Sequence, residues 1–124
     1  MDKIELQKRT QLFAVNVIRF VERQPSSRAF NILTNQLLRS STSIGANYRS
    51  ACKGKSTADF INKIVIVEGE ADESIYWFDL ILESGLVAPE QVIPLKKEAT
   101  ELTAIFTAIG KPAKENQRIK NSKK

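Results

Sequence analysis

Apolar residues recur along most of the chain at alternating spacings of three and four, the pattern of helices that each bury one stripe. No segment keeps the strict alternation of a strand. The first stretch, about Lys3 to Arg23, sets Leu6, Phe13, Val17 and Phe20 on one face, with Ile18 and Val21 beside them. Gln24-Pro25-Ser26-Ser27 ends it, because proline disfavours helix in the residue before it and a serine suits the cap of the next helix. A second helix, about Arg28 to Cys52, turns Phe30, Leu33, Leu37, Ile44 and Tyr48 inward, and Gly54 is placed to end it in the left-handed conformation. Ser56-Thr57-Ala58-Asp59 reads as a capping box that opens a third helix, running to Gly85. Its stripe is Phe60, Ile64, Val67, Ala71, Ile75, Phe78 and Leu82. The fourth helix carries Leu95, Ala99, Leu102, Phe106 and Ile109; Pro94 blurs its start and Gly110-Lys111-Pro112 is expected to stop it. Four amphipathic helices with short loops predict an all-α fold, an antiparallel up-down-up-down four-helix bundle over residues 1–110, with 111–124 as a basic, disordered tail.

The third helix is apolar over more than one stripe. Ile61, Val65, Tyr76 and Trp77 lie well away from the line from Phe60 to Leu82, and a helix packed only on its own bundle has no use for them there. They are expected at an oligomer interface, where aromatic residues are enriched. The plainer alternative is scattered surface apolars, which are ordinary.

Composition narrows the chemistry. At 124 residues there is room for one core. Histidine is absent, which removes the commonest general base and metal ligand and excludes a di-iron bundle. The single cysteine, Cys52, excludes an intrachain disulfide and, without a histidine to activate it, reads as a small buried hydrophobe. No apolar run is long enough to span a membrane, and the charged start Met1-Asp2-Lys3-Ile4-Glu5 lacks a signal segment, so a cytoplasmic chain without a membrane partner is expected.

The net charge of +5 belongs to the tail, where Lys111, Lys114, Arg118, Lys120, Lys123 and Lys124 face only Glu115. Within the remainder, Gln24 to Ala58 is purely basic, whereas from Asp59 to Ser84 seven acids accompany the single base Lys63. On a wheel of the second helix, Arg28, Arg39, Arg49 and Lys53 gather opposite the buried stripe as an outward basic ridge. That ridge, together with Lys114, Arg118 and Lys120, is the candidate nucleic-acid-binding surface, with phosphate contacts that read little sequence. A solvated face, or ion pairs to a neighbour's third helix, is the alternative.

Three other constellations carry weaker signals. Ser40-Ser41-Thr42-Ser43 with Asn47 could bind phosphate, or could bond the carbonyls one turn back. Glu70 with Glu73 and Glu98 with Glu101 form two E-x-x-E pairs of the kind that hold Mg²⁺ in all-α nucleotide pyrophosphohydrolases, but the wheels point them away from a common pocket. Tyr76 and Trp77 could stack bases, although their place on helix three favours packing. No catalytic residue, metal or cofactor is expected.

The runs Leu37-Leu38-Arg39-Ser40-Ser41-Thr42-Ser43-Ile44-Gly45-Ala46-Asn47-Tyr48, Lys55-Ser56-Thr57-Ala58-Asp59-Phe60-Ile61-Asn62-Lys63 and Glu70-Ala71-Asp72-Glu73-Ser74-Ile75-Tyr76-Trp77 resemble the four-helix bundle family of 23S rRNA intervening-sequence proteins. The match covers roughly Phe30 to Val87; helices one and four agree in pattern alone. The family usually has an acidic residue soon after the asparagine, whereas Arg49-Ser50-Ala51-Cys52 follows Asn47 here. The resemblance implies a homopentamer. It extends to accessory variability proteins of diversity-generating retroelements, basic nucleic-acid-binding partners of a reverse transcriptase, which implies a protein partner of that kind. The reading is therefore a non-enzymatic homo-oligomer that binds RNA or DNA through basic surface. The alternatives are a protein-interaction scaffold without nucleic acid, or a Mg²⁺-dependent nucleotide pyrophosphohydrolase.

Overall fold

The computed structural model describes residues 1–122, and the side chains within that span other than those at 112–114, 116 and 117. Four helices follow in order: α1 (Lys3–Arg23), α2 (Arg28–Cys52), α3 (Thr57–Glu83) and α4 (Pro89–Ser122). The first three open as their sequences dictate, on a side-chain oxygen that takes an otherwise unpaired amide. Asp2 accepts from the Glu5 N–H at 2.8 Å, Ser27 from Phe30 at 3.2 Å and Ser56 from Asp59 at 3.1 Å. Pro89 opens α4 at the position where a missing N–H costs nothing. Pro94 then falls beyond the first turn, on the exposed side.

The left-handed glycine is Gly85, at φ +68°, after α3. Gly54, expected in that role after α2, does not adopt a positive φ. It is needed for space: a Cβ there would lie 3.1 Å from the Ala51 carbonyl oxygen and 3.5 Å from the Asp59 Cβ, where the α2–α3 turn closes on itself.

The helices run antiparallel. Gln24 at the end of α1 donates to Gln91 near the start of α4 at 3.0 Å, and the rings of Tyr48 and Phe106 meet at 5.2 Å towards the opposite end. The core is stacked on edge-to-face aromatic pairs: Phe20–Phe30 at one end, Phe13–Phe78 across the bundle, Tyr48–Phe106 at the other. Leu37, Ile44, Ile64, Val67 and Leu102 fill between them, all fully buried. The predicted stripes hold with local shifts. Ile81 replaces Leu82 at the centre, Val92 joins, and Ile18 faces out. At the α1–α2 seam a Cβ on Gly45 would meet Thr10 Oγ1 at 3.1 Å, so the missing side chain is what lets the two helices approach.

One expectation fails outright. Gly110-Lys111-Pro112 does not stop α4, and the chain expected to be disordered is helical to Ser122. A proline inside a helix removes one backbone hydrogen bond and strains the turn, but it does not forbid continuation where the following residues favour helix. Packing does end there: Gly110 is buried, and the described side chains beyond it are exposed. Lys123 and Lys124 lie outside the described residues.

Candidate nucleic-acid interface and the outer face of helix three

The antiparallel order gathers charge at one end. There α1 starts, α2 ends, α3 starts and α4 leaves the bundle. Arg49 and Lys53 occupy one face of α2, one turn apart; Lys55 sits in the turn and Lys63 near the start of α3. None of the four has an ion-pair partner among the described residues. The projecting part of α4 adds Lys111, Lys120 and Arg118, the last paired with Glu115 on its own helix. The side chain of Lys114 lies outside the described residues.

The continuous ridge expected along α2 does not form. Arg28 is exposed but lies at the other end of the bundle, about 30 Å along the helix from Arg49. Arg39 is engaged elsewhere: its guanidinium reaches Glu70 at 3.2 Å and also bonds Glu73, both on α3. The Glu73 bond, with Glu70 beside it, raises the Arg39 pKa above its ordinary value.

The same device recurs between α1 and α4. Arg9 donates through Nε and Nη2 to the two oxygens of Glu98, at 2.8 and 2.6 Å, with Glu101 at 3.8 Å. The Glu98 contact likewise raises the Arg9 pKa. Each E-x-x-E pair therefore clasps one arginine of a neighbouring helix, on two different helix pairs. Sequence reasoning missed this, although carboxylates one turn apart on the flank of a bundle helix are where interhelical pairing is expected. The four carboxylates, turned from a common pocket as their wheels indicate, do not converge, and among the described residues no group of three or more potential ligands gathers to hold a metal.

The hydroxyl run is explained from within its own helix. Ser40 donates to the Leu37 carbonyl, Ser41 to that of Leu38, Thr42 to that of Leu38 at 2.6 Å and Ser43 to that of Arg39 at 2.6 Å. Asn47 donates to the Ser43 carbonyl at 2.9 Å. A hydroxyl has one proton to give, so these donors are not directed at a phosphate. Ser40 and Ser74 also meet at 2.8 Å, fully buried between α2 and α3. Small side chains at that level allow the close approach. Burial pushes the Tyr48 phenol up to about 12, with the Cys52 thiol one turn on contributing.

Of the four interface candidates, Val65 and Tyr76 are exposed, at 46% and 55%, and Ile61 is half-buried. Trp77 is turned further inward. It packs against the core and against the Tyr76 ring at 5.0 Å, and its buried Nε1 has no hydrogen-bond partner among the described residues. Ile66, 44% exposed, joins Val65 on the outer face, and Gly69 beside them has open space where a side chain would stand. The sequence reading missed Ile66, Lys55 and Lys63, which a wheel of α3 and the topology of the α2–α3 turn bring to the same end.

Among known protein families, the 23S rRNA-intervening sequence protein model matches residues 2–108. The chain belongs to that family. A solved member of the S23 ribosomal protein family from Bacteroides thetaiotaomicron, described as a protein with unknown function, is 32% identical. It superposes with a TM-score of 0.81 over 90% of this chain and 99% of its own. No curated protein matches. Within the 23S rRNA-intervening sequence protein fold, the basic end described above extends past the matched span, since α4 continues for 14 residues beyond 108, to Ser122. No helix among the described residues is long and apolar enough to cross a membrane.

Proposed function

We propose that this 23S rRNA-intervening sequence protein is a non-enzymatic homo-oligomer that binds RNA or DNA through the basic end of the bundle. The observation that carries the reading is the convergence there of Arg49, Lys53, Lys55 and Lys63, none paired with a carboxylate among the described residues, at the end where the basic part of α4 leaves the bundle. Unpaired cations at a shared surface lose little on meeting phosphate and release counterions in doing so. Arg28 and Arg39 fall outside the site. The family's link to ribosomal RNA insertions makes RNA the first ligand to try.

An exposed apolar face supports the self-association half of the reading. Val65 and Tyr76 expose apolar surface along α3 that a second copy can cover, and the size implied by resemblance is a pentamer. A ring of copies would multiply weak basic contacts through effective concentration.

Two measurements test this. Filter binding of a ribosomal-RNA fragment at 50 and 200 mM salt should show affinity falling steeply with salt; absence of binding at the lower concentration defeats the nucleic-acid half. Light scattering should give a mass of several chains, reduced by Val65→Glu or Tyr76→Glu. A wild-type monomer at about 100 μM, where even micromolar contacts are saturated, defeats the other half.

A further inference from the structure

Three shallow cavities adjoin on the surface, and together they make one furrow. The first, about 270 Å³, lies in the α1–α2 seam against Gln7, Gln11, Thr42, Ala46 and Arg49. The second, about 410 Å³, crosses the outer side of α2 against Ala46, Arg49, Ser50 and Lys53. The third, about 420 Å³, continues at the α2–α3 turn against Ser50, Lys53, Lys55, Asn62, Lys63 and Asp59, with Ile66 as its apolar wall. The middle cavity shares Ala46 and Arg49 with the first and Ser50 and Lys53 with the third, so the three adjoin.

From these lining residues we infer that the furrow is the track of a single-stranded phosphodiester backbone, lying across the C-terminal half of α2. The inference rests on the nucleic-acid reading above and deepens it: it names the form of the ligand and its path. Charge fits the occupant. Arg49, Lys53, Lys55 and Lys63 line the track against one carboxylate, Asp59. Gln7, Gln11 and Asn62 supply amides that both donate and accept, suited to sugar and base edges. The edges that such amides read are open in a single strand and paired away in a duplex. Extent fits as well. Along α2, Thr42 to Lys53 covers about 17 Å, enough for a few nucleotides. No aromatic ring lines the furrow, so little base preference is expected.

The test places a charge in the middle of the track without touching the core. Ala46 is exposed and at the junction of the first two cavities; Ala46→Glu is compared with Asn35→Glu, exposed in the N-terminal half of the same helix and away from the furrow. Thermal melting confirms that both variants fold. For single-stranded RNA and single-stranded DNA of one sequence, Ala46→Glu should weaken binding about tenfold or more and Asn35→Glu less than twofold. The wild-type log–log salt slope should approach −3, at about −0.7 for each phosphate met by the four cations. The matched duplex should bind more weakly and respond alike to the two variants. Equal losses from both variants with single strands, or tighter duplex binding that Ala46→Glu does not affect, overturn the track while leaving nucleic-acid binding intact. No binding by the wild type to any of the three ligands removes the underlying function instead. RNA and DNA are told apart by their relative affinities.

Discussion

At the scale of single residues, the buried hydroxyls are satisfied by short-range bonds. Ser40 and Ser74 share two protons among three contacts, one carbonyl on each one's own helix and the 2.8 Å approach of the two hydroxyls, so one hydroxyl donates to its carbonyl while the other donates either to its own carbonyl or across. Ser74→Ala removes one partner and should cost about 1 kcal/mol. Because Ser40 would keep its carbonyl, the double variant should cost less than the sum of the singles, and a double-mutant cycle in urea reads that difference directly. Tyr48 yields a pH dependence. Its phenol resists ionisation in the folded chain up to about 12, whereas an unfolded tyrosine ionises near 10. Below pH 10 both states hold the proton and stability is unaffected; above it the unfolded chain loses the proton first, so stability falls as pH rises towards 12. Urea midpoints at pH 9 and pH 11 should differ in the wild type, and Tyr48→Phe should shrink that gap. Ser27→Ala, which removes the oxygen that caps α2, should cost about 1 kcal/mol in the same assay.

At the scale of elements, the two arginine clasps decide which charges are available. Arg39→Gln should leave nucleic-acid affinity within twofold, whereas Arg49→Gln should weaken it several-fold, although both side chains lie on the outer face of α2. Filter binding of the two variants side by side makes the comparison, and equal losses would restore the continuous ridge. The clasps themselves are half-exposed, so Arg9→Met should destabilise by no more than about 1 kcal/mol. The helices were legible in the sequence because their stripes are long and periodic: Leu37, Ile44 and Phe78 are buried where the spacing puts them. The caps at Ser27 and Ser56 were legible because each is a local bond within four residues. Arg39 and Glu73 were not, because periodicity assigns a face and not the partner a long side chain bends to meet. Gly54 and Gly85 show the same limit, since glycine marks both a tight approach and a positive φ.

At the scale of the whole molecule, the core and the charged end are separable. Fully buried Phe78 sits in the core, and Phe78→Ala should destabilise by about 3–5 kcal/mol. Ending the chain at Gly110 removes only helix whose described side chains are exposed, so the melting temperature should hardly move. Nucleic-acid affinity and its salt slope should both fall, by an amount that measures the projecting segment's share. Unchanged binding would confine the interface to the furrow. The residue pattern located the basic groups but not their meeting place, because Lys55, Lys63 and Lys111 become neighbours only through the antiparallel order of the helices.

The clasp between α2 and α3 has a consequence for how such a surface can change. Arg39 stands on the same helix as the furrow, held by two acids that are themselves partly exposed. Substituting both by glutamine would release a guanidinium towards solvent at small cost to the fold, extending the cationic track by about two turns from Ala46 towards the middle of α2. Ligand reach in this bundle is thus adjustable by neutralising acids on one helix, without adding a single base to another.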